Sequence, residues 1–213
     1  MIISSLHHDG GPKTRRGRMD GFSLIELIIV LTIIIILTAM SLPYIYDHSK
    51  LYKSEHQALK VMDLMREASQ LALNRRRTIR FEIDLTQNAV VLTDENGAGG
   101  ADILIKRIPL EPVNEVRMDV IPAGVTLPAP PNYADAAFPG DVWAARFRSN
   151  GSVVDAGGIP ISANLYLWPP LEPGDPLNLT PRNTAEVRAI TMFGGSGSIR
   201  YWKFVGDAFQ PYQ

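Results

Sequence analysis

Twenty consecutive residues, Leu27 to Tyr46, carry no charge, and they include the runs Ile28-Ile29-Val30-Leu31 and Ile33-Ile34-Ile35-Ile36-Leu37. A stretch of about 20 apolar residues is what a helix needs to cross a hydrocarbon core of roughly 30 Å. β-Branched residues are weak helix formers in water. In lipid an isolated segment can satisfy its backbone polar groups only as a helix, so these residues predict a membrane anchor.

The residues in front of the anchor are of another kind. Residues 1–21 are polar, and Lys13, Arg15, Arg16 and Arg18 outnumber Asp9 and Asp20. That excess of cations is expected to stay in the cytoplasm, which places the chain beyond residue 46 on the far side of the membrane. A cleaved secretory signal has a shorter apolar core and then a small-residue cleavage site. Here the core is too long, and Ser41-Leu42-Pro43 is a poor match to such a site. An uncleaved signal anchor fits the length alone. Glu26 argues for more, because a carboxylate this close to a span is costly unless it snorkels to the headgroups or meets a cation. A free α-amine at Phe22 would be that cation, about 6 Å of helix rise away. The pair could form within one subunit or between two helices staggered by a turn.

Gly21-Phe22-Ser23-Leu24-Ile25-Glu26, followed by the apolar run, resembles the class III signal of type IV pilins and type II secretion pseudopilins. The resemblance implies that a prepilin peptidase cuts between Gly21 and Phe22 and N-methylates Phe22. It also implies that Glu26 is the assembly carboxylate. Residues 1–21 would then be a cleaved cytoplasmic leader.

Pro43 stands where the anchor leaves the membrane, and a proline there is expected to kink the helix. From Tyr44 to Leu73 there is no Gly or Pro. Ala58, Leu59, Met62, Met65, Ser69, Ala72 and Leu73 recur every three or four residues, which predicts an amphipathic half with one apolar stripe. Arg75-Arg76-Arg77 closes it with cations at the end the macrodipole favours. The expectation is a helix over residues 22–75, with its transmembrane half at 22–43.

Residues 76–213 read as β structure. Fourteen of the 16 prolines lie after residue 108. Ile79, Phe81 and Ile83 alternate with Arg80, Glu82 and Asp84, the period of a half-buried strand. Further strands are expected over 89–93, 103–108, 116–120, 143–147, 152–155, 161–168, 187–193 and 199–205. Asn150-Gly151 marks one hairpin and Gly194–Ser198 another. Pro-rich loops are expected over 122–140 and 169–181. A long helix followed by an antiparallel β domain is an α+β arrangement, and its order matches pilin-like proteins. The passage from Leu64–Ala72 into Arg76–Ile83, together with Phe147-Arg148-Ser149-Asn150-Gly151-Ser152, resembles the H-type minor pseudopilins and their FimT-like relatives.

The remaining chemistry is mostly exclusion. With no Cys there is no disulfide, thiolate metal site or cysteine nucleophile. A net charge of −1 gives no sign of polyanion binding. All four His lie at or before residue 56, so no histidine triad or His-rich metal site is expected in the β domain. Asp94–Gly100, with Asp102 nearby, offers oxygen ligands for calcium, but Asp, Asn and Gly are also the default turn residues and no EF-hand pattern is present. Nothing after Gly194–Ser198 reads as a phosphate loop. No enzyme, metal or cofactor is expected.

The sequence thus reads as a minor pseudopilin of a type II secretion pseudopilus. Its expected place is the inner membrane, single-pass, with the β domain periplasmic. Its expected partners are other pseudopilins or pilins through the N-terminal helix, and the prepilin peptidase. A minor type IV pilin, for pilus assembly or DNA uptake, is the alternative, and only there would DNA be a partner. A signal-anchored periplasmic binding module that never assembles is the rival from another class.

Overall fold

The computed structural model describes residues 23–95, 100–126, 133–175 and 177–211. Contacts divide the chain into two units, Met1–Ile45 and Tyr46–Gln213. The first unit holds most of α1 (Leu24–Leu51), a helix 28 residues long. Pro43 lies within α1. The helical ladder is interrupted later, at Tyr52 (φ −92°, ψ −7°), after which α2 runs over Lys53–Arg75. The expected single helix is therefore two.

In the second unit α2 packs against two sheets, which among the described residues comprise ten strands. In chain order these are β1 (Thr78–Asp84), β2 (Ala89–Glu95), β3 (Ile103–Pro109), β4 (Ala134–Asp135), β5 (Val142–Phe147), β6 (Val153–Val154), β7 (Ala163–Leu167), β8 (Arg188–Phe193), β9 (Ser198–Val205) and β10 (Ala208–Pro211). They form two five-stranded sheets, ordered β3-β2-β1-β5-β6 and β10-β9-β8-β7-β4. Every pairing is antiparallel except β4 with β7, which is parallel.

The helix stripe is Ala58, Val61, Met62, Leu64, Met65, Ala68 and Ala72, all buried. It lies slightly around the helix from the expected one. Ser69 is only half-buried and Leu73 is exposed, because the spacing 58-61-65-68-72 follows the helical period and Leu73 falls beside it. The stripe meets Phe81, Ile83, Leu92, Phe147, Leu165, Ile190 and Met192, so both sheets share one core. Each such side chain contributes about 1.5–3 kcal/mol relative to exposure. At its end α2 turns out through Arg76, whose left-handed φ of 55° lets its N–H reach the carbonyl of Ala72.

Polar anchors fix the first turn of α2. Ser54 Oγ donates to the Glu186 carbonyl at 2.8 Å, and the Glu111 N–H donates to Gln57 Oε1 at 2.7 Å. Glu55 pairs with Lys203 at 2.5 Å and Arg188 at 3.2 Å. Lys53 pairs with Glu115 and, at 3.4 Å, with Glu111.

A second cluster, Tyr166, Trp168, Val187, Ala189, Trp202, Phe204 and Phe209, lies on the face of the second sheet turned away from α2. Val120, Ile121 and Val125 cover it. This segment was expected to be a strand followed by a loop. Only Arg117 pairs there, in an isolated bridge with Trp168. Val116 and Met118 are buried on either side of it, and the segment crosses the sheet as a strap.

Candidate functional site

The sequence placed processing at Gly21 and Phe22, and both lie outside the described residues. Glu26 lies in the first turn of α1, exposed, where a carboxylate suits the positive end of the helix. No described residue makes an ion pair or hydrogen bond with it. The expected pairing of Glu26 with the amine of Phe22 therefore falls outside the described residues.

The surface behind Glu26 is the distinctive feature. Large apolar side chains from Leu24 to Met40 are exposed on every side, from 48% at Val30 to 77% at Leu24. A helix apolar all round is stable only inside a core or a membrane. Leu24–Ser41 is long and apolar enough to cross one, and its residues are exposed. Its few hydroxyls are satisfied within the helix: Thr32 Oγ1 donates to the Ile28 carbonyl and Thr38 Oγ1 to the Ile34 carbonyl, each at 2.7 Å, and Ser41 Oγ donates to the Leu37 carbonyl. Such back-bonding lets polar side chains sit in an apolar medium without losing partners.

The acids considered for calcium serve another purpose. Asp94 is buried on β2 and pairs with Arg75 at 3.4 Å and Arg77 at 3.8 Å. Glu95 takes Arg80 and Arg146, and Asp102 takes Arg80 at 3.2 Å. These carboxylates tie the helix end and three strands together. Residues 96–99 of that loop lie outside the described residues. Among the described residues no three His, Asp or Glu side chains come close enough to hold a metal. Arg75 and Arg77, expected from the sequence to close the helix with cations that suit its macrodipole, thus also pair with a buried acid. The buried acid opposite them was in the sequence but not its partnership, which needs the β1–β2 register.

The Gly-rich turn from Gly194 to Gly197 joins β8 to β9, as its composition suggested. It is pressed against neighbours: a Cβ on Gly194 would stand 2.4 Å from the Ile161 carbonyl oxygen, and one on Gly197 2.5 Å from that of Gly151.

Among known families, the prokaryotic N-terminal methylation motif matches residues 16–42. The matched span contains Gly21, Phe22 and Glu26 and ends with the exposed apolar helix. The chain therefore has a type IV prepilin-like N-terminus. It is a membrane-anchored, type IV pilin-like protein of the kind that prepilin peptidase processes and that assembles with other pilins. No curated protein and no solved structure matches it.

Proposed function

We propose that this chain is a minor pseudopilin of the H type, a subunit of a type II secretion pseudopilus. The observation that carries the reading is the pairing of the methylation motif at residues 16–42 with a helix whose large apolar side chains are exposed. The passage from the α2 stripe into β1 supports the H-type assignment. Residues 1–21 are the leader removed in the cytoplasm, 22–75 the helical stem, and 76–213 the periplasmic domain. Cleavage after Gly21 frees the amine of Phe22, which becomes N-methylated. Glu26 of one subunit then pairs with that amine on a neighbour, because a carboxylate left alone among packed apolar helices is costly. The pair sets the register, and packing of Leu27–Met40 supplies most of the association. A head-to-tail contact that does not close produces a fibre. No catalytic step belongs to this chain.

The test is the intact mass and N-terminal sequence of the protein extracted from its native membrane. A chain beginning at N-methylated Phe22, found in a pseudopilus that fails to form when Glu26 is replaced, is expected. A chain still beginning at Met1 in a host with working prepilin peptidase overturns the reading.

A further inference from the structure

We propose that the open end of the second sheet binds a single sugar ring carrying an oxyanion. The face that holds Trp202 and Ala189 continues along β8 and β9 to Thr191, Phe193, Arg200 and Ser198, since alternate residues share a face and Thr191 pairs with Arg200 and Phe193 with Ser198. The strap covers one end of this face. At the other end Tyr133, Thr191, Phe193, Ser196, Ser198 and Arg200 line a cleft of about 210 Å³.

Each group in the cleft suits one part of such a ligand. Tyr133 and Phe193 stack at 6.0 Å between centroids with 21° between planes, and Phe193 remains 43% exposed. A flat aromatic surface takes the apolar C–H face of a pyranose. Arg200 is exposed and makes no ion pair or hydrogen bond with any described residue, and no carboxylate among those residues lines the cleft. Among the described residues nothing compensates its guanidinium, and its fork matches a carboxylate or phosphate in two parallel hydrogen bonds. Ser196 and Ser198 are exposed hydroxyls that both donate and accept. The turn that carries Ser196 is fixed from behind: Gly197 N–H donates to the Phe193 carbonyl at 2.8 Å and Gly194 N–H to Ser162 Oγ at 3.1 Å. The volume lies below the roughly 300 Å³ at which pockets for drug-sized ligands begin, so the cleft suits about one ring.

Saturation-transfer NMR on the full chain in detergent micelles tests this, with glucuronate and glucose 6-phosphate as charged probes and glucose and cytidine monophosphate as controls. At least one charged sugar is expected to bind, about tenfold or more tighter than glucose. Which one binds better tells whether a carboxylate or a phosphate is the natural group. Arg200→Gln should reduce the charged sugars to the glucose level, and Phe193→Ala should weaken all the sugars. Both side chains are exposed, so an unchanged far-UV circular dichroism spectrum shows that the fold survives. Failure of both charged sugars to bind, equal binding of glucose, or tighter binding of cytidine monophosphate overturns the proposal.

Discussion

Arg117 and Trp168 hold each other by three contacts. Their backbones exchange two hydrogen bonds, at 2.8 and 3.1 Å, and the Arg117 guanidinium carbon stands 5.4 Å from the centre of the indole ring. Arg117 also reaches both oxygens of Asp119 and the Asn178 carbonyl, while Trp168 Nε1 donates to the Val120 carbonyl at 3.0 Å. This pair fastens the strap over the second apolar cluster.

Replacing Arg117 by Ala should therefore cost more than a surface cation would. The side chain is 6% exposed and its removal breaks its bonds to Asp119 and the Asn178 carbonyl, a loss expected at about 1–3 kcal/mol. Arg117→Lys keeps the charge but loses the fork and should recover only part. Urea unfolding followed by tryptophan fluorescence measures both; equal midpoints for wild type and Arg117→Ala would show that the strap is held by apolar contact alone.

The first turn of α2 makes stability fall in acid. Burial pushes the Glu55 carboxyl up, but hydrogen bonds from Lys203 and Arg188 outweigh it and hold the group below its ordinary value of 4.5. Its contribution is complete above the unfolded pKa and is lost as the pH falls through the lowered folded-state value. Glu55→Gln should flatten the acid limb of the unfolding midpoint against pH and cost about 1–3 kcal/mol at neutral pH. An acid limb as steep in the variant as in the wild type would assign the effect elsewhere.

The same turn carries an alkaline limb of opposite sign. The hydrogen bond from Lys53 to Glu115 is the largest effect on the lysine; burial works against it, Glu111 adds to it, and the net shift is upward from 10.5. That contribution is intact below the unfolded pKa and disappears as the pH rises through the raised one. Because Lys53 is partly exposed the effect is modest, and 1 M salt should erase most of it in a thermal melt.

Three glycines should rank by crowding. Gly194→Ala drives a methyl into the Ile161 backbone, and Gly197→Ala combines a φ of 63° with contact on the Gly151 carbonyl. Gly206 has a similar φ of 64° but open space around it. Gly206→Ala should cost about 1 kcal/mol from the left-handed backbone alone. The other two should each cost clearly more, read by calorimetry on the purified chain.

Glu26→Ala should separate assembly from folding. The residue touches nothing described outside its helix, so the melting temperature of the second unit should not move. Incorporation into fibres, read by shearing and immunoblot, should fall about tenfold or more if pairing with a neighbour's amine sets the register. Normal incorporation would remove the carboxylate from the assembly step.

The parts of the fold that sequence revealed are those with local causes. The alternation of Ile79, Phe81 and Ile83 and the turn at Asn150-Gly151 gave β1 and the passage from β5 to β6, and a charge-free run gave α1. The division into two sheets was not legible, because it rests on which distant strands pair. Neither was β4, a two-residue parallel addition to β7, nor β10, which ends at a proline and borrows its order from β9. The interruption at Tyr52 carries no Gly or Pro to mark it. The processing motif is linear, so it could be read directly. The cleft around Arg200 could not, since it exists only through the register of β8 with β9.

Glu55 and Lys203 are 148 residues apart in the chain. Synthesis delivers α2 well before β8 and β9, so the apolar stripe from Ala58 to Ala72 lacks the cover of those strands until they follow. Contacts of such separation close slowly, and surfaces waiting for them invite wrong partners. A chain built this way carries an open apolar stripe through the making of its second sheet, and the pairing of Glu55 with Lys203 closes late.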